Sequence, residues 1–240
     1  MNTSFSFSAM ISSGWATFKK NWKFIILAGL ATLIIQAFFQ VIQRNLREHI
    51  FAMLLASIVM MLLGIIISLG WSKIFLSLNR TGSATWATFE TSRAEWLRAI
   101  KVFVWYILRF FYYIIITVIP FLIIALIGLL AHVHVLVIIG GILAYIAFLI
   151  SAIYVGLRYQ FMYYVALDNP GLRSKAIFKK AGELTKGNLL QLLGFGIVLG
   201  FYNLLGLICL VVGLAVTVPV SKLAHAKVYD FLKEKVSHQN

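Results

Sequence analysis

The sequence predicts an all-α, polytopic membrane bundle of about six transmembrane helices, arranged as three hairpins with amphipathic interfacial helices on the cytoplasmic side. Three observations predict it. Residues 24–43, 50–72, 110–157 and 187–221 contain no Asp, Glu, Lys or Arg. Each stretch is long enough to cross a hydrocarbon core about 30 Å thick as a helix, and the last two are long enough to cross twice. The chain of 240 residues is 62% hydrophobic, and its mean hydropathy is +0.95, both well above a soluble domain.

The first apolar run, from Phe24, is long enough to span, and the residues before it lack a cleavable signal pattern. It is therefore expected to remain as the first helix. The polar stretches leave no room for a separate soluble catalytic domain, so the chain is one integral membrane domain over 1–240. The single cysteine, Cys209, lies in an apolar run and has no second thiol to pair with.

Spans are expected near 24–43, 50–71, 100–121, 134–157, 188–206 and 211–231. Lys19, Lys20 and Lys23 precede the first. Lys73, Arg80, Arg93, Arg98 and Lys101 lie between the second and third. Arg158, Arg173, Lys175, Lys179, Lys180 and Lys186 follow the fourth, and Lys227, Lys233 and Lys235 end the chain. The opposite side has only Arg44 and Arg47. Lys and Arg collect on the cytoplasmic side, so both termini are expected in the cytoplasm. The tryptophans at 15, 22, 71, 86, 96 and 105 fall near the same interface. The net charge of +14 then reads as topology and contact with anionic lipid, not as nucleic-acid binding.

An amphipathic piece precedes each hairpin. Phe7, Ile11, Trp15, Phe18 and Trp22 recur at helical spacing, as do Trp86, Phe89, Trp96, Leu97 and Ile100. Ser92 and Glu95 form a capping-box pair that restarts a helix. The third piece is expected to be capped by Asn169, with Pro170 in its first turn and Gly187 at its end. Pieces that start near residues 5, 84 and 170 suggest pseudo-repeats over 5–78, 84–167 and 170–235.

From Tyr164 onward the motifs Tyr-Val-Ala-Leu-Asp-Asn-Pro-Gly (164–171), Lys-Ala-Gly-Glu-Leu-Thr-Lys-Gly-Asn (180–188), Asn-Leu-Leu-Gly (203–206) and Gly-Leu-Ala-Val-Thr-Val-Pro-Val-Ser (213–221) follow in order. This resembles a group of bacterial six-span inner-membrane proteins, the YciC-like proteins and the membrane domain found beside some glycerophosphodiester phosphodiesterases. The resemblance covers the last third in motifs and the rest in layout. It implies a bacterial inner-membrane location and no settled activity. Lys222 departs from the small or apolar residue expected there.

The charge-free stretches 24–43, 50–72, 110–157 and 187–221 offer no membrane carboxylate, which argues against a proton-coupled carrier built on one, although a cavity could open to a loop residue such as Asp168. His132 and His134 are two apart and point to different helix faces, so no metal site is expected. There is no His-Glu-x-x-His and no Gly-x-Ser-x-Gly. Ser221, Lys222 and His225 lie close in sequence, but neighbours on a helix diverge by about 100°. No enzyme and no cofactor are expected.

Candidate contacts for lipid or another anion are Arg109, Arg158 and Lys222, each near or inside an apolar run. Arg109 and Lys222 are expected to line one pocket for a phosphate or carboxylate. Arg173, Lys175, Lys179, Lys180 and Lys186 give the third interfacial helix a basic face. Candidate packing positions are Gly196, Gly200, Asn203, Gly206, Gly213 and Pro219. The first two form Gly-x-x-x-Gly, which serves packing within the chain or a dimer face. Gly206 and Gly213 allow the last turn, and Pro219 kinks or starts the sixth span. The function expected is a non-enzymatic, lipid-interacting scaffold or accessory factor in membrane homeostasis. The alternative is a carrier or channel for a small anionic or amphiphilic solute.

Overall fold

The computed structural model describes residues 4–46, 48–209 and 213–237. Among these residues there are helices and connecting turns but no strand. In order they are α1 (Phe7–Asn45), α2 (Ile50–Thr81), α3 (Trp86–Phe89), α4 (Arg93–Leu130), α5 (His134–Tyr159), α6 (Met162–Asp168), α7 (Ser174–Leu184), α8 (Leu189–Ile208) and α9 (Leu214–Ser237). Among the described residues five helical segments are long and apolar enough to cross a membrane: Phe7–Asn45, Ile50–Thr81, Arg93–Leu130, His134–Asp168 and Leu189–Ile208. The protein is thus an all-helical chain compatible with integral membrane insertion.

The first expected interfacial piece, and the second from Arg93 onward, are not separate helices; Trp86–Phe89 stands apart as α3. α1 starts at Phe7, with Ser6 as its cap, and runs unbroken into the apolar stretch to Asn45. α4 starts at the expected capping box: the Ser92 amide donates to Glu95 at 2.7 Å, and the Glu95 amide donates to Ser92 Oγ at 3.3 Å. It then continues to Leu130. Neither junction has a Pro or Gly that would stop a helix, so the amphipathic turns simply extend the spans. α7 is separate, but it starts four residues later than expected. Its cap position is Arg173, and Asn169 and Pro170 belong to the preceding turn. Asn169 instead donates from its side chain to the Val165 carbonyl at 2.8 Å. Gly187, at φ +79, forms the turn after α7, in a conformation that a residue with a Cβ adopts only under strain.

α4 and α5 lie side by side and antiparallel. Gly128 and Gly140 let their backbones approach: a Cβ on Gly140 would lie 2.6 Å from the Ala125 nitrogen. Thr117 and Ser151 share a 2.7 Å hydrogen bond between the two helices. Their turn is closed at His132, which takes a positive φ of 55.

The core gathers around α9. The sixth expected span, 211–231, begins outside the described residues, and the rest of it lies in α9. α9 is not among the five apolar helices, because it carries Lys222, Lys227 and Asp230 within its turns. It is nevertheless the most enclosed long helix, with Val220, Leu223, Ala224, Ala226, Val228, Tyr229 and Leu232 buried. α1 crosses it closely. A Cβ on Gly14 would lie 2.7 Å from the Val220 carbonyl oxygen and 3.0 Å from the Ala224 nitrogen. The buried face of α1 is therefore Gly14, Phe18, Ile25 and Ala28, while Trp15 and Trp22 stay exposed. This moves the face by one position from the one the aromatics suggested, because backbone approach at a glycine outweighs the area of a Trp ring here. Phe5 fixes the other end, packing on Phe195 and Phe231 with ring centroids 5.5 and 5.9 Å away.

Pro219 sits inside α9, not at its start. Gly206 and Gly213 meet where α8 turns back, and a Cβ on Gly206 would overlap the Thr217 side chain. Asn203 accepts a 3.1 Å hydrogen bond from Ser221 across the same pair. Gly196 and Gly200 differ: a Cβ on either meets nothing within 4 Å, so neither brings a helix close within the chain.

Gly14→Val should destabilise the detergent-solubilised protein by about 1–3 kcal/mol or more, because the methyls enter backbone atoms. Gly196→Val should leave it unchanged or slightly more stable. Thermal unfolding followed by circular dichroism checks both, and equal losses would refute this placement of α9.

Candidate functional site

The candidate site lies where α4, α5 and α7 meet. Trp105, Arg109 and Tyr113 are spaced by four on α4, so they form a stripe along one side. Tyr154 and Arg158 are spaced likewise on α5, and Tyr159 follows. α7 contributes Lys175, Phe178 and Gly182. Tyr159 stacks on Phe178 with centroids 3.8 Å apart, and Tyr113 meets Tyr154 edge-on at 5.2 Å. Gly182 makes room for this: a Cβ there would lie 3.0 Å from the Tyr159 ring and 3.3 Å from Arg158 Nε. Thr185, just after α7, donates to the Arg158 carbonyl oxygen at 2.9 Å and ties the end of α5 to α7.

The cations here rest on rings rather than on carboxylates. Arg158 donates to the Tyr154 hydroxyl at 2.6 Å, and its guanidinium carbon lies 5.6 Å from that ring and 6.0 Å from Tyr159. Its Nε is buried without a hydrogen-bond partner. Lys175 lies 5.8 Å over Trp105, and Arg109 lies 5.7 Å over Tyr112. None of the three is in an ion pair among the described residues. Aromatic faces stabilise cations but leave their N–H donors free for an oxyanion.

The remaining predicted cations are more dispersed. Lys179 pairs with Glu183 at 3.7 Å, and Lys180 donates to the Asn169 side chain at 2.8 Å. Arg173 and Lys186 are exposed beside the turns that flank α7. Lys222 is exposed on α9, between buried Ser221 and Leu223. Lys222 and Arg109 stand on different helices, α9 and α4, and neither lines the two clefts described below. His225 is turned inward, stacked on Phe161 at 4.6 Å and bonded to Gln160 at 2.7 Å, away from any dyad with Ser221. Among the described residues no group of His, Cys, Asp and Glu is placed to hold a metal ion.

The sequence did not reveal a second charged cluster, at the end of α2. Arg80 donates to Asp168 at 2.8 and 2.9 Å and to Asp230 at 2.6 Å; Lys233 and Tyr229 also donate to Asp168. The partners are remote along the chain, so no local pattern announces them. Asp168 is past the apolar stretch that ends at Leu157, and its side chain is largely enclosed. Burial alone would raise its pKa, but the hydrogen bonds from Arg80, Lys233 and Tyr229 outweigh burial and hold the carboxyl at about 2. An open cleft of about 450 Å³ adjoins it, lined by residues that include Asn79, Lys227 and Glu234. Here charge is neutralised within the fold, and the cluster acts as a clamp joining α2, α6 and α9. A smaller groove of about 190 Å³ separates α1 from α2.

No family model, no curated protein and no solved structure matches the chain.

The clamp predicts a pH dependence. The folded pKa of Asp168 lies below its unfolded value near 3.9, so its contribution is present above about pH 4 and is lost as pH falls toward 2. Asp168→Asn should cost about 1.5–3 kcal/mol at neutral pH. The difference between variant and wild type in thermal unfolding should shrink across that acid range, and a difference constant with pH would refute the clamp.

Proposed function

We propose that this chain is an integral protein of the bacterial inner membrane that binds anionic lipid at the α4–α5–α7 junction and serves there as a non-enzymatic scaffold or accessory factor. The observation that carries the reading is the set of three cations, Arg109, Arg158 and Lys175, held on aromatic rings without a carboxylate partner. A cation at the edge of hydrocarbon needs water, a carbonyl or a phosphate. Tyr and Trp rings beside it suit the headgroup layer, where one end of the side chain is wet and the other apolar. Arg173, Lys179, Lys180 and Lys186 extend the basic surface around α7, each worth about 1 kcal/mol near an anionic leaflet.

The reading includes six crossings, with both termini in the cytoplasm. Support comes from the charge asymmetry: Lys and Arg crowd one side of the expected spans, and only Arg44 and Arg47 lie on the other. In this arrangement α9 crosses as the guarded partner of α8 and α1, with its polar residues toward its C-terminal half. The likeness of 164–221 to YciC-like proteins belongs to the same proposal and rests on those residues alone. Transport of a small anion stays second. It calls for Arg109, on α4, and Lys222, on α9, near one path.

The test is lipid retention. Purified protein titrated with phosphatidylglycerol and, separately, phosphatidylcholine in mild detergent should bind the anionic lipid preferentially by native mass spectrometry. Arg158→Gln with Lys175→Gln should weaken that binding about tenfold or more and leave thermal unfolding nearly unchanged. Equal binding of the two lipids, or no effect of the double substitution, would overturn the proposal.

A further inference from the structure

We infer that two copies of this chain pair along α1, with Gln36 and Gln40 of one copy hydrogen-bonded to the same residues of the other. Thr32, Gln36, Gln40 and Gln43 fall at i, i+4, i+8 and i+11 of α1, so they form one polar stripe inside an otherwise apolar helix. The two ends of the stripe are met within the chain. Thr32 accepts from the Trp71 indole at 3.3 Å and donates to the Ala28 carbonyl at 2.9 Å. Gln43 donates to Ser57 at 3.4 Å. Among the described residues the two middle carboxamides make no hydrogen bond. They are exposed and line the groove between α1 and α2, together with Ile35, Phe39, Met60 and Gly64.

Gln36 lies near the middle of the first apolar stretch, 24–43, and Gln40 one helical turn further toward its end; hydrocarbon offers neither donor nor acceptor, and an unmet amide there is costly. Each carboxamide carries both functions, so its best match is another carboxamide. Two copies inserted with the same topology and related by a two-fold axis along the membrane normal place each residue at the same depth as its counterpart. Gln36 then meets Gln36 and Gln40 meets Gln40 without any shift in register. The face is also open to close approach, since a Cβ on Gly29 or Gly64 would meet nothing within 4 Å. The polar stripe places this pairing surface on α1.

The test keeps both glutamines. In a Cys209→Ala background, Gly29→Cys places a thiol on the stripe, and Phe38→Cys places one two residues from both glutamines and so on the opposite side of α1. Oxidation of native membranes should link Gly29→Cys into a dimer and leave Phe38→Cys monomeric. Adding Gln36→Leu and Gln40→Leu, which suit lipid and spare folding, should lower the linked fraction about tenfold, as expected for losing buried interhelical hydrogen bonds. Equal linking at both positions, no linking at Gly29→Cys, or an unchanged linked fraction in the leucine variant would overturn the pairing.

Discussion

Hydrocarbon does not solvate a charge or an amide, and the arrangement of this chain follows from that constraint. Apolar stretches must close their own backbone hydrogen bonds, so they are helices. Polar side chains must then find partners, and they do so in three ways. Arg80, Lys233, Asp168 and Asp230 neutralise each other where α2, α6 and α9 come together. Thr117 and Ser151 satisfy each other between α4 and α5, as Asn203 and Ser221 do between α8 and α9. Arg109, Arg158 and Lys175 instead rest on aromatic rings, with donors left over.

The first two ways explain why α9 can be polar and still central. Its buried side is built from small and medium residues, Val220, Ala224 and Ala226 among them, so α1 can approach at Gly14 with backbone against backbone. Its charged residues sit on the remaining side or near the clamp, and two of its inward polar groups are met, Ser221 by Asn203 and His225 by Gln160. Hydropathy averaged along a helix cannot distinguish that arrangement from an exposed amphipathic helix, because the average discards which face each residue occupies.

The same distinction shows what the sequence could and could not disclose. The apolar stretches and the α4 cap at Ser92 and Glu95 were legible, because each is encoded within neighbouring residues. The continuity of α1 was missed because an amphipathic turn and a span obey the same helical spacing, and only a breaker would separate them. The cap of α7 moved because Asn169 had a nearer use, bonding back to Val165. The clamp was illegible for a different reason: Arg80, Asp168 and Asp230 come together only after the fold brings three distant helices side by side. Of the cations singled out in advance, Arg158 and Lys175 share an aromatic site, whereas Lys222 was set apart by its position on the outer side of α9.

The two surfaces proposed to act are on different helix pairs, and this makes them mutually compatible. The lipid site uses α4, α5 and α7, while the pairing surface uses α1 beside α2. A dimer built on α1 leaves the cationic junction of each copy facing lipid, so pairing would double the number of headgroup sites without occluding either. The interactions also differ in character. Carboxamide pairs in hydrocarbon are short-ranged and indifferent to salt, whereas cations at a headgroup layer are screened within about a Debye length. Salt would therefore loosen lipid contact and spare the dimer, which separates the two surfaces by physics as well as by position.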